Sequence, residues 1–73
     1  MTGWYVVGID PTIVWVFGPF FTETDARAYA MDLADREEGF IKVQAVKMTH
    51  KEAVDLATDD VLWPYESIEP PEV

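Results

Sequence analysis

The sequence contains no cysteine. This absence excludes disulfide bridges, thiolate metal sites and thiol catalysis, and it favours a reducing location, for which we expect the cytoplasm. Long apolar runs are also missing, since no stretch approaches the roughly 20 residues that a membrane-spanning helix needs. The N-terminus, Met1-Thr2-Gly3-Trp4, lacks the basic region of a secretory signal, so we expect neither export nor a membrane partner.

Groups that could perform catalysis are equally scarce. The one serine, Ser67, lies in a proline-rich stretch, and the one histidine, His50, stands at a predicted helix start, so no nucleophile can be paired with a base. The glycines form no phosphate-binding motif, and no acidic stretch has the spacing of a calcium-binding loop. The sequence therefore predicts a protein that is not an enzyme, with no catalytic residues, no cofactor and no bound metal.

Basic residues are few, and the five Lys and Arg face 14 Asp and Glu, which gives a net charge of −9 at pH 7. Such a charge repels phosphate backbones and anionic membranes, so we expect no direct binding of nucleic acid. It attracts the basic surface of another protein, although solubility alone is the alternative explanation. The 73 residues have room for one domain, which we place at 1–68, followed by a disordered, acidic, proline-rich tail at 69–73.

Two short runs rich in β-branched and aromatic residues, 4–9 and 13–17, predict β-strands. Asp10-Pro11-Thr12 predicts the turn of a β-hairpin between them, because proline fixes φ and the Asp10 side chain can accept from the backbone two residues on. Gly18-Pro19 is expected to end the second strand.

An amphipathic helix of about four turns is predicted next, with Thr22 or Thr24 as its N-cap and Gly39 as a left-handed C-cap. Residues 40–48 predict a return strand, which a right-handed crossover would set parallel to the second strand in a mixed sheet. Thr49-His50-Lys51-Glu52 predicts a capping box for a second, short C-terminal helix of about two to three turns. The expected fold class is α+β, with a small three-stranded sheet and two helices.

Three features of residues 13–47 occur together in the sequence. They are the strand Val14-Trp15-Val16-Phe17-Gly18-Pro19-Phe20, an alanine-rich helix entered through Asp25-Ala26, and a strand after Gly39-Phe40. This combination resembles the second half of a SPOR domain. The resemblance implies a half-ferredoxin-like ββαβα fold and a surface that binds peptidoglycan glycan strands stripped of their peptides. The first half of that domain is reduced here to one strand without a helix.

The hairpin is apolar on both faces, although the first helix can cover only one of them. Two explanations stay open. Either residues 53–68 fold back and complete the core, or some of their aromatic residues join those of the hairpin in a patch that docks a partner. The residues expected to bind a partner are Trp15, Phe17, Trp63 and Tyr65, with the acidic Asp32, Asp35, Glu37, Glu38, Asp59 and Asp60.

The leading hypothesis from the sequence is a small, acidic, non-enzymatic protein-binding protein. We expect an inhibitor or adaptor encoded by a phage or mobile element, which occludes a basic, nucleic-acid-binding surface of a host protein by imitating phosphate charges. One alternative is a SPOR-like glycan-binding module whose exposed aromatic residues stack on sugar rings. The other is a homodimeric structural accessory protein, joined through the hairpin face or a free edge strand.

Overall fold

The computed structural model describes residues 1–66, 68 and 69. The elements in chain order are β1 (Thr2–Ile9), β2 (Val14–Phe20), α1 (Glu23–Arg36), β3 (Lys42–Thr49) and α2 (His50–Leu56). This order confirms the predicted α+β class and its sequence of hairpin, helix, return strand and second helix. Apart from Glu69, the tail predicted to be disordered lies outside the described residues.

The three strands form one antiparallel sheet in the order β2-β1-β3. The predicted mixed sheet is therefore wrong. β3 does run in the same direction as β2, but β1 lies between them and pairs with both. The central position suits β1 because its residues Tyr5, Val6 and Val7 are consecutively buried, which places apolar side chains on both faces of the sheet.

β2 continues through Gly18-Pro19, so the strand end predicted at this dipeptide is also wrong. Trp4 lies opposite Phe20 and Val6 lies opposite Phe17, so β2 accommodates one extra residue in a β-bulge. Gly18 has a φ of 143°, and the peptide bond to Pro19 is cis. A proline is tolerated here because β2 is an edge strand of the sheet, where one N–H is not needed for strand pairing.

Both helices begin at threonines that the sequence predicts as caps. The Thr22 hydroxyl accepts from the Asp25 N–H at 3.0 Å, which makes Thr22 the N-cap of α1. Thr49 and Glu52 form the predicted capping box of α2, each side chain accepting from the other residue's backbone N–H at 3.1 Å. The bond from the Thr49 N–H is the main cause of the lowered pKa of the Glu52 carboxyl.

The C-terminal end of α1 differs from the prediction. The helix ends at Arg36, and its C-cap Glu37 donates its backbone N–H to the Leu33 carbonyl at 2.9 Å. Gly39 is not a left-handed cap, because Gly18 is the one glycine with a positive φ in the described chain. An extended Glu37 ends the helix instead, so the chain leaves α1 without the glycine turn that the sequence suggested.

Each face of the sheet carries its own apolar layer. On the α1 face, the buried side chains are Val6, Phe20, Ala26, Ala30 and Leu33. On the α2 face, they are Tyr5, Val7, Val16, Met48, Ala53 and Ala57. The second apolar face of the hairpin is thus covered from within the chain, as the first of the two open explanations requires. His50 is exposed at the start of α2, as predicted, and its Nδ1 lies 3.1 Å from the Tyr5 hydroxyl.

Residues 58–62, which we call the edge segment, run along the outer edge of β2. The Thr58 N–H donates to the Val14 carbonyl at 3.1 Å, and the Leu62 N–H donates to the Val16 carbonyl at 2.8 Å. The Gly18 N–H returns a bond to the Leu62 carbonyl at 2.9 Å. The edge segment therefore occupies the free side of β2 and carries the chain from the α2 face to the α1 face.

Candidate functional site

The four predicted aromatic residues lie at the two ends of one aromatic band beside the α1 face. The Trp15 and Phe17 rings are nearly parallel, with centroids 6.5 Å apart. At the other end the Trp63 and Tyr65 centroids are 5.2 Å apart. The complete aromatic band consists of Trp15, Phe17, Tyr29, Phe20, Tyr65, Phe21 and Trp63. The two predicted pairs therefore do not touch each other and are linked through the buried ring of Phe20.

At the Trp63 end of the aromatic band, hydrogen bonds hold the residues after the edge segment against the rest of the domain. The Tyr65 hydroxyl accepts from the Phe21 N–H at 3.0 Å and donates to an Asp25 carboxylate oxygen at 3.2 Å. Trp63 donates its Nε1–H to the Ile68 carbonyl at 2.7 Å. Burial raises the pKa of the Tyr65 hydroxyl. The polar groups of both rings are thus committed to bonds within the chain.

The Trp15 end of the aromatic band opens into a groove of about 260 Å³ beside the C-terminal end of α1. We call it the acidic groove, and it is lined by Asp10, Trp15, Phe17, Leu33, Glu37, Gly39 and Phe40. Three of these residues, Trp15, Phe17 and Glu37, were predicted to bind a partner. The other four were not predicted as site residues. The lining of the acidic groove includes two carboxylates and three aromatic rings, and no lysine or arginine.

Asp10 shapes both the hairpin turn and the acidic groove. Its Oδ1 accepts from the Thr12 N–H at 2.8 Å, the Thr12 hydroxyl at 2.9 Å and the Ile13 N–H at 2.7 Å, which confirms the predicted turn. Its Oδ2 accepts from the Trp15 Nε1–H at 2.8 Å. These bonds, that from Ile13 foremost, hold the pKa of the Asp10 carboxyl well below its usual range. Asp10 therefore stays ionised well below neutral pH, and its carboxylate also fixes the Trp15 ring.

Phe40 reaches the acidic groove because the central strand has no side chain at Gly8. Gly8 pairs with Trp15 on one side and Val43 on the other. A Cβ at Gly8 would lie only 2.7 Å from Cε1 of Phe40, so the ring occupies the space that a side chain would fill. A glycine inside an otherwise apolar strand run was the signal for such a close approach.

Acidic residues gather at the end of α1 that already carries negative partial charge. Asp35, Glu37 and Glu38 are all exposed there. Carboxylates at a helix C-terminus are disfavoured by the helix dipole, by about 0.3–1 kcal/mol each. Helix stability thus does not account for this arrangement. It does place negative charge beside the acidic groove, where Arg36 is the one basic residue in the last turn of α1.

The other predicted acidic residues lie outside the acidic groove. Asp32 is exposed on α1 and pairs with Arg36 at 2.8 Å. Asp59 and Asp60 are exposed in the edge segment that follows α2. The structure thus concentrates the candidate site at Trp15, Phe17 and Glu37, with Glu38, which stands between the lining residues Glu37 and Gly39, on the rim. Asp35 is exposed on α1 and does not line the acidic groove.

Most basic side chains are paired on their own helices. The ion pairs of the described chain are Arg27 with Glu23, Arg36 with Asp32 and Lys51 with Asp55. Lys42 and Lys47 lie on β3, whose outer edge no other strand of the described chain covers. Lysines on an edge strand oppose pairing with a second strand. The hypothesis of a homodimer through this edge stays a prediction.

The described residues contain no group of three or more His, Asp or Glu side chains placed to hold a metal ion. Neither α1 nor α2, the two helices of the described chain, has the length and apolar character needed to cross a membrane.

Comparison with protein-family models, with curated proteins and with solved structures found no match to this chain. The resemblance to a SPOR domain therefore stays a prediction. α2, with Ala57 and Val61 after it, occupies the sheet face opposite α1. A glycan strand bound by this chain would thus have to lie elsewhere than on an open sheet face.

Replacing Asp10 by asparagine is expected to make the chain less stable at neutral pH. The pKa of Asp10 is lower in the folded state than the value of about 3.9 in an unfolded chain, so its contribution is complete above about pH 4. The contribution is lost as the pH falls through the pKa of the folded state. The difference in unfolding free energy between the wild type and Asp10→Asn should therefore shrink on acidification.

Urea unfolding followed by tryptophan fluorescence at a series of pH values measures this difference. Asp55→Asn is the matched control, since it removes the same charge from an exposed pair on α2. A difference in unfolding free energy between the wild type and Asp10→Asn that stays constant down to about pH 2 would contradict the assigned role of the Asp10 carboxylate.

Proposed function

We propose that this chain is a non-enzymatic binding protein whose acidic groove and rim dock onto the basic surface of a partner protein. The observation that supports this proposal is the meeting of half-buried aromatic rings with two carboxylates, Asp10 from the hairpin turn and Glu37 from the negative end of α1. Asp10 also holds the hairpin turn, but Glu37 at the C-terminal end of α1 does not stabilise the helix through its charge. This combination suits recognition of a positively charged surface.

The aromatic residues and the charges have separate parts in such a complex. Aromatic side chains supply most of the binding free energy in many interfaces, because they bury large areas with few rotatable bonds. Carboxylates around them accelerate association and select partners of opposite charge. A surface that ordinarily binds nucleic acid has that charge. An inhibitor or adaptor that occludes such a surface in a host cell cytoplasm is the finer form of the proposal.

The test is affinity capture on the immobilised full chain, followed by a measurement of the dissociation constant for the retained protein. We expect a retained protein with a basic surface and a dissociation constant that rises about tenfold between about 50 and 300 mM NaCl, because salt screens exposed charges. The double variant Glu37→Gln with Glu38→Gln should weaken binding about tenfold at the lower salt concentration.

The matched control is the double variant Glu23→Gln with Asp55→Asn. It removes the same two charges from exposed ion pairs at the N-terminal end of α1 and on α2. Equal binding by the two double variants, or affinity that does not change with salt, would rule out the proposed docking surface. Retention of acidic proteins alone would rule out the proposed class of partner.

A further inference from the structure

We infer that the acidic groove receives a single arginine side chain of the partner, held by its guanidinium group. This inference rests on the proposed function and specifies the chemistry of the same site. Its starting point is the size of the acidic groove, about 260 Å³, which is below the roughly 300–1,000 Å³ of sites for drug-sized ligands. One protruding side chain is an occupant of suitable size.

The walls of the acidic groove are held in position before any ligand arrives. The Trp15 indole is fixed by its 2.8 Å hydrogen bond to Asp10, and Phe17 lies beside it with an interplanar angle of 8°. Phe40 rests against the bare backbone at Gly8. Rings that are already ordered lose little conformational freedom on binding, so each contact contributes more to affinity.

The charge of the acidic groove defines the occupant as a cation. Asp10 and Glu37 reach it from two different elements, the hairpin turn and the end of α1. The Oδ2 atom of Asp10 accepts one bond in the described chain, that from Trp15, and a carboxylate oxygen can accept two. The C-terminal carbonyl end of α1 adds negative partial charge. A positive group entering here meets acceptors as well as aromatic faces.

Arginine fits this combination better than lysine. The guanidinium group is planar, so it can lie on an indole face while its five N–H donors point outward in the same plane. A guanidinium group thus has enough donors for both carboxylates that line the acidic groove. An ammonium group has no flat face and is more strongly hydrated, so it loses more on entering a half-buried aromatic site.

The test is an NMR titration of the full chain with three blocked tripeptides, in which glycines flank arginine, lysine or the neutral isostere citrulline. The chain has three tryptophans, so three indole N–H signals report on it, and Trp15→Phe identifies the signal at the acidic groove. We expect the arginine peptide to shift the Trp15 signal saturably with a dissociation constant of about 1–10 mM. The lysine peptide should bind at least about threefold more weakly, and citrulline about tenfold.

Equal effects of arginine and citrulline, or of arginine and lysine, would overturn the inference. So would the absence of a saturable shift at Trp15, or a larger shift at Trp4 or Trp63. Glu37→Gln should weaken arginine binding about threefold, and Asp55→Asn on the opposite face should leave it unchanged. A larger loss of arginine binding in Asp55→Asn than in Glu37→Gln would also contradict the inference.

The outcomes for the arginine site and for the proposed function can be told apart. If the chain captures a basic protein in a salt-dependent manner but the arginine peptide does not shift the Trp15 signal, the proposed function stands and the arginine site is ruled out. If the chain binds the arginine peptide at Trp15 but retains no basic protein, the arginine site stands and the proposed function is ruled out.

Discussion

Gly18→Ala is expected to lower the free energy of unfolding by about 3 kcal/mol or more, which is a large part of the stability of a domain of this size. The φ of 143° at Gly18 is one that side-chain-bearing residues rarely adopt. A Cβ at this position would also lie 2.7 Å from Cδ2 of Tyr5 and 3.1 Å from the Trp4 carbonyl oxygen. Tyr5 is only 2% exposed, so its ring cannot move aside into solvent.

Urea unfolding of the full chain measures this effect, and Gly39→Ala is the matched control. Gly39 has no positive φ, and a Cβ there would meet no atom within 4 Å. That substitution should change stability by no more than about 1 kcal/mol, in the stabilising direction, because it restricts the unfolded chain. Similar losses in the two variants would show that the conformation at Gly18 is not what matters.

Phe20→Ala is expected to cost about 3–5 kcal/mol, the usual range for removing a buried aromatic ring. Phe20 is 6% exposed, and its ring centroid lies 5.2 Å from that of Tyr29 and 5.8 Å from that of Tyr65. The substitution thus opens a cavity where β2, α1 and the chain after the edge segment meet. Because small domains are marginally stable, we expect this variant to be largely unfolded near body temperature.

The neighbouring Phe21→Ala is the matched control for Phe20. Phe21 is 63% exposed, although its ring stacks on Tyr65 with a centroid distance of 4.6 Å. Its loss should cost no more than about 1–1.5 kcal/mol. Thermal and urea unfolding of both variants give the comparison, and equal losses would contradict the layer assignment of the two side chains.

Local chemistry made much of the fold predictable from the sequence. The side chains of Asp10, Thr22 and Thr49 each bind a backbone N–H two or three residues away, so their motifs carry the information by themselves. The order of the strands is not local in this sense. It depends on which strand is buried on both faces. The sequence of the hairpin does not decide this, because β1 and β2 are both apolar on both faces. The path of the edge segment depends likewise on distant partners.

The candidate site was predictable in part for the same reason. Trp15 and Phe17 stand out as surplus aromatic residues, and Glu37 belongs to a visible acidic run. Asp10 was assigned to the turn alone, because its second bond, to Trp15, depends on how the hairpin orients the indole. Phe40 was read as a strand residue, and only the register that sets Gly8 beside Trp15 brings its ring to the acidic groove.

The edge segment also determines how the chain opens. It bonds to Val14, Val16 and Gly18 while passing from one side of the sheet to the other, so it links the α2 layer to the layer under α1. We therefore expect the two layers to open as one cooperative unit rather than as two foldons. Opening of the α2 layer should accordingly loosen β2, the strand that carries Trp15, although α2 lies on the far side of the sheet from the acidic groove.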